Sequence, residues 1–152
     1  MASSTFTETL TLERVFNASV DKVFDAWTKA EVLAQWFGPV GFTVVRSDVD
    51  CRVEGKYEIV IQSPDNNQIR HFGEYLVVDN NQKLVFTWIL EDQACEGSEG
   101  QLATTLVELD FVAEGPSTRL ILKHEKLPDQ KSMDGHQFGW SSSFDSLAEY
   151  IH

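Results

Sequence analysis

The sequence predicts an α+β fold in which a curved antiparallel sheet of about seven strands wraps around one long C-terminal helix. Three observations carry that expectation. Apolar and polar residues alternate with a period of two through most of residues 42–125, two short helical stripes follow the first strand directly, and one continuous apolar stripe at helical spacing closes the chain. The element order is then β-α-α, six further strands, and a helix.

Residues 1–8 form a polar lead-in, and residues 9–152 are expected to form a single domain. Leu10, Leu12 and Phe16 alternate with Thr11, Glu13 and Val15, the mark of a half-buried strand. Arg14 falls in the inward phase, so it calls for a carboxylate partner from elsewhere, because an unpaired buried charge is very costly. Ser19 is placed to cap a helix whose apolar positions are Val20, Val23, Phe24 and Trp27. Thr28-Lys29-Ala30-Glu31 has the form of a capping box and predicts a second short helix carrying Val32, Leu33, Trp36 and Phe37. Gly38-Pro39 ends it.

Strands are expected at Phe42–Val53, Lys56–Gln62, Ile69–Val78, Lys83–Leu90, Gln101–Ala113 and Thr118–Glu125. The breaks between them, Val53-Glu54-Gly55, Ser63-Pro64-Asp65-Asn66-Asn67, Asp79-Asn80-Asn81 and Glu114-Gly115-Pro116-Ser117, are rich in residues that tolerate or preset turn dihedrals. Such short turns imply antiparallel neighbours. Residues 91–100 read as a mobile, charged loop. After Pro128, Trp140, Phe144, Leu147, Ala148 and Ile151 line one helix face, with Gly135 and Gly139 near its start. A twisted sheet of this size curls, and its concave face needs a cover that only the last helix is long enough to provide.

Composition narrows the function classes. The 152 residues carry a formal net charge of −12, which disfavours nucleic acid and anionic membrane surfaces. No apolar run is long enough to span a bilayer, so no membrane insertion is expected. The N-terminal residues lack the basic and apolar regions of a secretory signal. Cys51 and Cys95 stand apart, which suits a reducing cytoplasm and inert thiols better than a disulfide scaffold.

Several local sequences resemble the activator of heat-shock-protein-90 ATPase homologue family, within the START-like or SRPBCC superfamily of helix-grip, birch-pollen-allergen-like domains. They are Glu13-Arg14-Val15-Phe16-Asn17-Ala18, Phe24-Asp25-Ala26-Trp27-Thr28, Gln35-Trp36-Phe37-Gly38-Pro39, Gly55-Lys56-Tyr57, His71-Phe72-Gly73-Glu74-Tyr75, Phe86-Thr87-Trp88, Leu122-Lys123-His124-Glu125, and Gly139-Trp140 followed by Leu147-Ala148. The resemblance implies the helix-grip fold and a cavity between sheet and helix. The superfamily includes sterol and lipid carriers, hormone binders, aromatic polyketide cyclases and oxygenase subunits.

Six residues are candidates to line that cavity: Trp36, Tyr57, Trp88, His124, Trp140 and Phe144. Flat aromatic faces suit an apolar ligand, and indole N–H groups can fix a polar end. The plainer reading is that they fill the core. His124 shares its phase with Leu120 and Leu122, so it points inward, where it is either a satisfied core histidine or a group able to bind a ligand or act as a base near pH 7. His71 is a weaker candidate, and His136 and His152 are expected to be solvated.

No metal-ligand spacing, nucleophile motif or phosphate loop is present, so no cofactor, metal or catalytic residue is assigned. The leading expectation is a domain that binds an apolar or amphipathic small molecule between the sheet and residues 133–152. The alternatives are an enzyme of cyclase or dehydratase type using His124, and a stress-response protein that contacts a chaperone.

Overall fold

A computed structural model describes residues 8–92 and 104–151. The elements are β1 (Leu10–Phe16), α1 (Val20–Thr28), α2 (Ala30–Trp36), β2 (Thr43–Val49), β3 (Lys56–Gln62), β4 (Gln68–Asp79), β5 (Lys83–Asp92), β6 (Thr105–Glu114), β7 (Ser117–Glu125) and α3 (Gln130–Ile151). The strands form one antiparallel sheet in the order β1-β7-β6-β5-β4-β3-β2. This is the α+β architecture that the hydrophobic pattern predicts.

Strict alternation sets the two faces. Tyr57, Ile59 and Ile61 of β3, Val107, Leu109 and Phe111 of β6, and Leu120, Leu122 and His124 of β7 are all buried, while the residues between them are not. A one-residue slip would turn each of these sets outward, so burial itself pins the register. Leu10 faces His124 and Leu109 faces Leu122 across neighbouring strands. Pairing shifts between Val44 and Arg46 and between Tyr75 and Val77. Irregularities of that kind increase local twist and help the sheet curve.

Gly73 serves the same curvature by close approach. A Cβ there would collide with the carbonyl oxygen of Thr87 on β5. That oxygen accepts a 2.7 Å hydrogen bond from the Tyr57 hydroxyl, and the Thr87 hydroxyl accepts one from the Glu74 amide at 2.9 Å. β3, β4 and β5 are thus tied together at Thr87.

Helices α1 and α2 are joined by the Trp36 indole, which donates to the Ala26 carbonyl at 2.9 Å. The Ser47 hydroxyl donates to the Ala30 carbonyl and fixes α2 against the edge strand β2. Asp129 caps α3, its carboxylate accepting from the Ser132 amide at 2.8 Å. The fully buried residues of α3 lie in its second half: Trp140, Ser143, Phe144 and Leu147. A Cβ added at Gly135 or Gly139 would meet nothing within 4 Å, and Phe138 between them is 73% exposed.

Several local expectations need correction. The capping box does not form: Lys29 is the N-cap of α2 with no side-chain cap bond, and the Thr28 hydroxyl instead bonds back to the Phe24 carbonyl at 2.9 Å. Thr28 is the last residue of α1, and back-bonding to position i−4 satisfies its hydroxyl without a cap. β2 ends at Val49 rather than Val53, because residues 50–55 make a tight turn with Glu54 at φ 70°. β5 runs on through Glu91 and Asp92, which pair with Arg70 and Ile69. The remainder of the expected loop, the expected lead-in over 1–7, residues 101–103 of the expected sixth strand, Cys95 and His152 lie outside the described residues.

Candidate functional site

The predicted lining residues converge between α3 and the concave face of the sheet. Trp36, Tyr57, Trp88, His124, Trp140 and Phe144 are all buried, none more than 5% exposed. Their rings connect through direct neighbours. Trp88 lies 4.7 Å from Trp140, Trp140 lies 6.2 Å from His124, and Tyr57 joins through Phe86 at 5.5 Å. Trp27 of α1 links the rest, at 4.8 Å from Trp36, 5.9 Å from Trp140 and 6.2 Å from Phe144. Phe37 and His71 close the far side against Trp88, at 6.2 and 4.8 Å. Most of these pairs are edge-to-face or tilted, the arrangement favoured by aromatic quadrupoles.

One hydrogen-bond chain threads the rings, and its direction is fixed. The Trp140 indole N–H lies 3.1 Å from His124 Nδ1, and an indole only donates, so Nδ1 carries the lone pair. The imidazole proton therefore sits on Nε2 and donates to Thr105 Oγ1 at 2.7 Å. The threonine hydroxyl passes its own hydrogen to the Trp88 carbonyl at 2.8 Å. A second chain runs beside it with the opposite tautomer. The Trp88 indole donates to His136 Nε2 at 3.1 Å, so His136 Nδ1 donates to the Ser132 carbonyl at 2.8 Å. The two imidazole rings meet edge to face at 4.7 Å.

Both histidines are held neutral. Burial, reinforced by the neighbouring His136, pushes His124 down to about 3. Burial also lowers His136, opposed in part by its bond to the Ser132 carbonyl. The expectation of a solvated His136 is corrected here: it lies one helical turn before Trp140, and so on the same buried face of α3. His124 has both nitrogens engaged, which makes it a poor general base at neutral pH. Burial raises the Tyr57 hydroxyl well above its ordinary range, and it stays a donor.

Arg14 finds the carboxylate that its phase calls for. Its Nη1 donates to Asp145 of α3 at 2.6 Å, and its guanidinium carbon lies 5.8 Å from the centre of the Phe144 ring. The pair sits at the rim, with side-chain exposures of 30% and 60%. Exposed pairs contribute little stability, roughly 0–1 kcal/mol, so the bond serves mainly to set α3 against β1.

Trp27 stands in the sequence in a helical stripe and in one of the local sequences that carry the resemblance, and neither placed it among the candidate lining residues. Its side chain is 3% exposed, yet Nε1 has no hydrogen-bond partner, and it is the one buried side-chain nitrogen or oxygen so placed among the described residues. An unsatisfied buried donor costs about 1–3 kcal/mol. The other three indoles all donate, to Ala26, His136 and His124.

Two surface depressions lie elsewhere. One of about 560 Å³ is bounded by residues of and beside β2, β3 and β4, including Asp48, Asp50, Lys56 and Phe72. Its charges are largely spent: Glu58 accepts from Arg46 and Arg70, which hold its carboxyl below the usual range, and Arg70 lies 3.9 Å over the Phe72 ring. The other, about 390 Å³, lies between α2 and β2. Among the described residues no three His, Cys, Asp or Glu side chains gather as a metal site, and no helix is long and apolar enough to cross a membrane.

Solved structures share this fold over nearly the whole chain. The AHSA1 protein of Silicibacter pomeroyi superposes with a TM-score of 0.82 at 28% identity, covering 95% of this chain and 97% of that one. A protein of Chromobacterium violaceum gives 0.80 at 23% identity, with 94% and 96% covered. CalU16 of Micromonospora echinospora gives 0.67 at 22% identity, with 95% and 76% covered. No curated protein sequence matches. The model of the family described as activator of Hsp90 ATPase homolog 1-like protein matches residues 17–152. With the helix-grip architecture and a family match over most of its length, the chain belongs to the activator of Hsp90 ATPase homolog 1-like family of START-like proteins.

Proposed function

We propose that this protein binds a small apolar or amphipathic molecule between the concave face of the sheet and α3, as many START-like domains do. The observation that carries the reading is the ring-lined interior itself. Trp36, Tyr57, Trp88, His124, Trp140 and Phe144, with Trp27 among them, pack as one aromatic cluster between sheet and helices, and a ligand would part these rings and take up their π faces. The ligand enters beside the first half of α3, where a Cβ at Gly135 or Gly139 would meet nothing within 4 Å and Met133 and His136 are only half-buried. Among the described residues Met133 and His136 hold that half-helix to the core, ahead of the fully buried residues from Trp140 onward.

Native mass spectrometry of freshly purified protein, beside its denatured mass, tests the reading. The expected result is a non-covalent mass above 17.2 kDa, or a saturable change in tryptophan emission on titration with members of a broad apolar panel. A bare chain that ignores the whole panel while remaining folded would sink it. The enzymatic alternative has less support, since the lone pair of His124 is held by Trp140 and its proton by Thr105.

A further inference from the structure

Building on that reading, we infer that the ligand is a neutral molecule whose single essential polar group is a hydrogen-bond acceptor, taken up by the Trp27 indole N–H. Carbonyl, ester and ether oxygens are the chemical class.

The polar inventory of the interior is the ground for this. A protein interior seldom keeps a buried donor without a partner. Here every buried side-chain nitrogen and oxygen among the described residues has a partner except Trp27 Nε1. Three acceptors near the rings are already engaged. His124 Nδ1 takes Trp140, His136 Nε2 takes Trp88, and the Ala26 carbonyl takes Trp36. A ligand donor would compete with an existing bond, whereas a ligand acceptor completes an unmade one.

Charge narrows the class further. No Lys, Arg, Asp or Glu belongs to the buried set among the described residues, and the cation that comes near, Arg14, is already paired with Asp145 at the rim. An ionised ligand would therefore lie uncompensated in an apolar medium, which is strongly unfavourable. The ring neighbours of Trp27 are Trp36, Trp140 and Phe144, so the body beside the acceptor is apolar and suited to planar groups.

Benzophenone and diphenylmethane share a two-ring skeleton and differ by a carbonyl in place of a methylene, so they isolate the acceptor. Calorimetric titration of the full chain with each is expected to show roughly tenfold tighter binding of benzophenone, the ratio that one net hydrogen bond of ordinary strength supplies. Trp27→Phe, which keeps a ring and removes the N–H, should bring the two affinities together. In the wild-type protein one indole N–H proton resonance should move downfield with benzophenone and stay in place with diphenylmethane. Equal affinities in the wild type would overturn the inference while leaving an apolar pocket standing, and so would a preference that survives in Trp27→Phe. Binding of neither probe would overturn the inference, and the broad apolar panel then decides separately whether the pocket stands. The wild-type ratio and the proton shift decide the matter even where Trp27→Phe fails to fold.

Discussion

His124 donates with one nitrogen and accepts with the other, and that double use makes it sensitive to acid. Protonation of Nδ1 would set a cation against the Trp140 N–H in a buried site. The folded protein therefore binds this proton only near pH 3, while the unfolded chain binds it near 6.5. The stabilisation is fully present above about pH 6.5 and is lost as the pH falls from there towards 3, with His136 contributing in the same direction. Urea unfolding across that window should show the loss, and the slope should be shallower in His124→Phe. Thr105→Val removes the acceptor of the Nε2 proton and is expected to cost about 1–3 kcal/mol at pH 7, read as a lower urea midpoint. The inward aim of His124 was legible from its phase with Leu120 and Leu122. The place of His136 is carried by its i, i+4 relation to Trp140, a helical spacing that sets it on the inward side of α3. The unmatched donor on Trp27 was not legible, because whether an indole finds a partner depends on how α1, α2 and α3 meet.

Elements show where backbone approach governs and where it does not. Gly73→Ala drives a methyl group into the Thr87 carbonyl, and β4 and β5 must part to admit it. The cost should reach about 1–3 kcal/mol or more, as overpacking does, and should appear in the thermal midpoint. Gly135→Ala and Gly139→Ala behave oppositely. Their Cβ atoms meet nothing, so each should raise stability by about 0.5–1 kcal/mol through helix propensity alone. A fall in stability on either change would mean that the first half of α3 lies closer to another surface. Element types and order were legible from periodicity, because each strand has one buried face. The ends were less so: Arg52 and Val53 continue an alternating pattern, so the break expected at Val53-Glu54-Gly55 in fact begins at residue 50. Residues 28–31 misled for a related reason, since a capping-box sequence occurs there without its side-chain bonds.

For the whole molecule, charge and topology set behaviour that no single contact explains. A net charge of −12 spread over one small surface repels itself. Raising the salt from about 10 mM to about 150 mM shortens the screening length from roughly 30 to 8 Å. The urea midpoint should rise with it, and a fall would show that ion pairs such as Arg119 with Glu13 and Glu114 outweigh the repulsion. The sheet's curl was legible from strand number and turn length, but the crossover that sets β1 beside β7 was not, since a half-buried strand carries no label for its neighbour. That crossover has a temporal side. Leu10 pairs with His124, so the strand nearest the N-terminus waits on a partner made more than 100 residues later. During synthesis β1 emerges as an edge with nothing beside it, and loop closure over that distance comes late and slowly. Glu13 and Arg14 in the middle of β1 then guard the nascent chain, because charges along an unpaired edge discourage it from pairing with another copy.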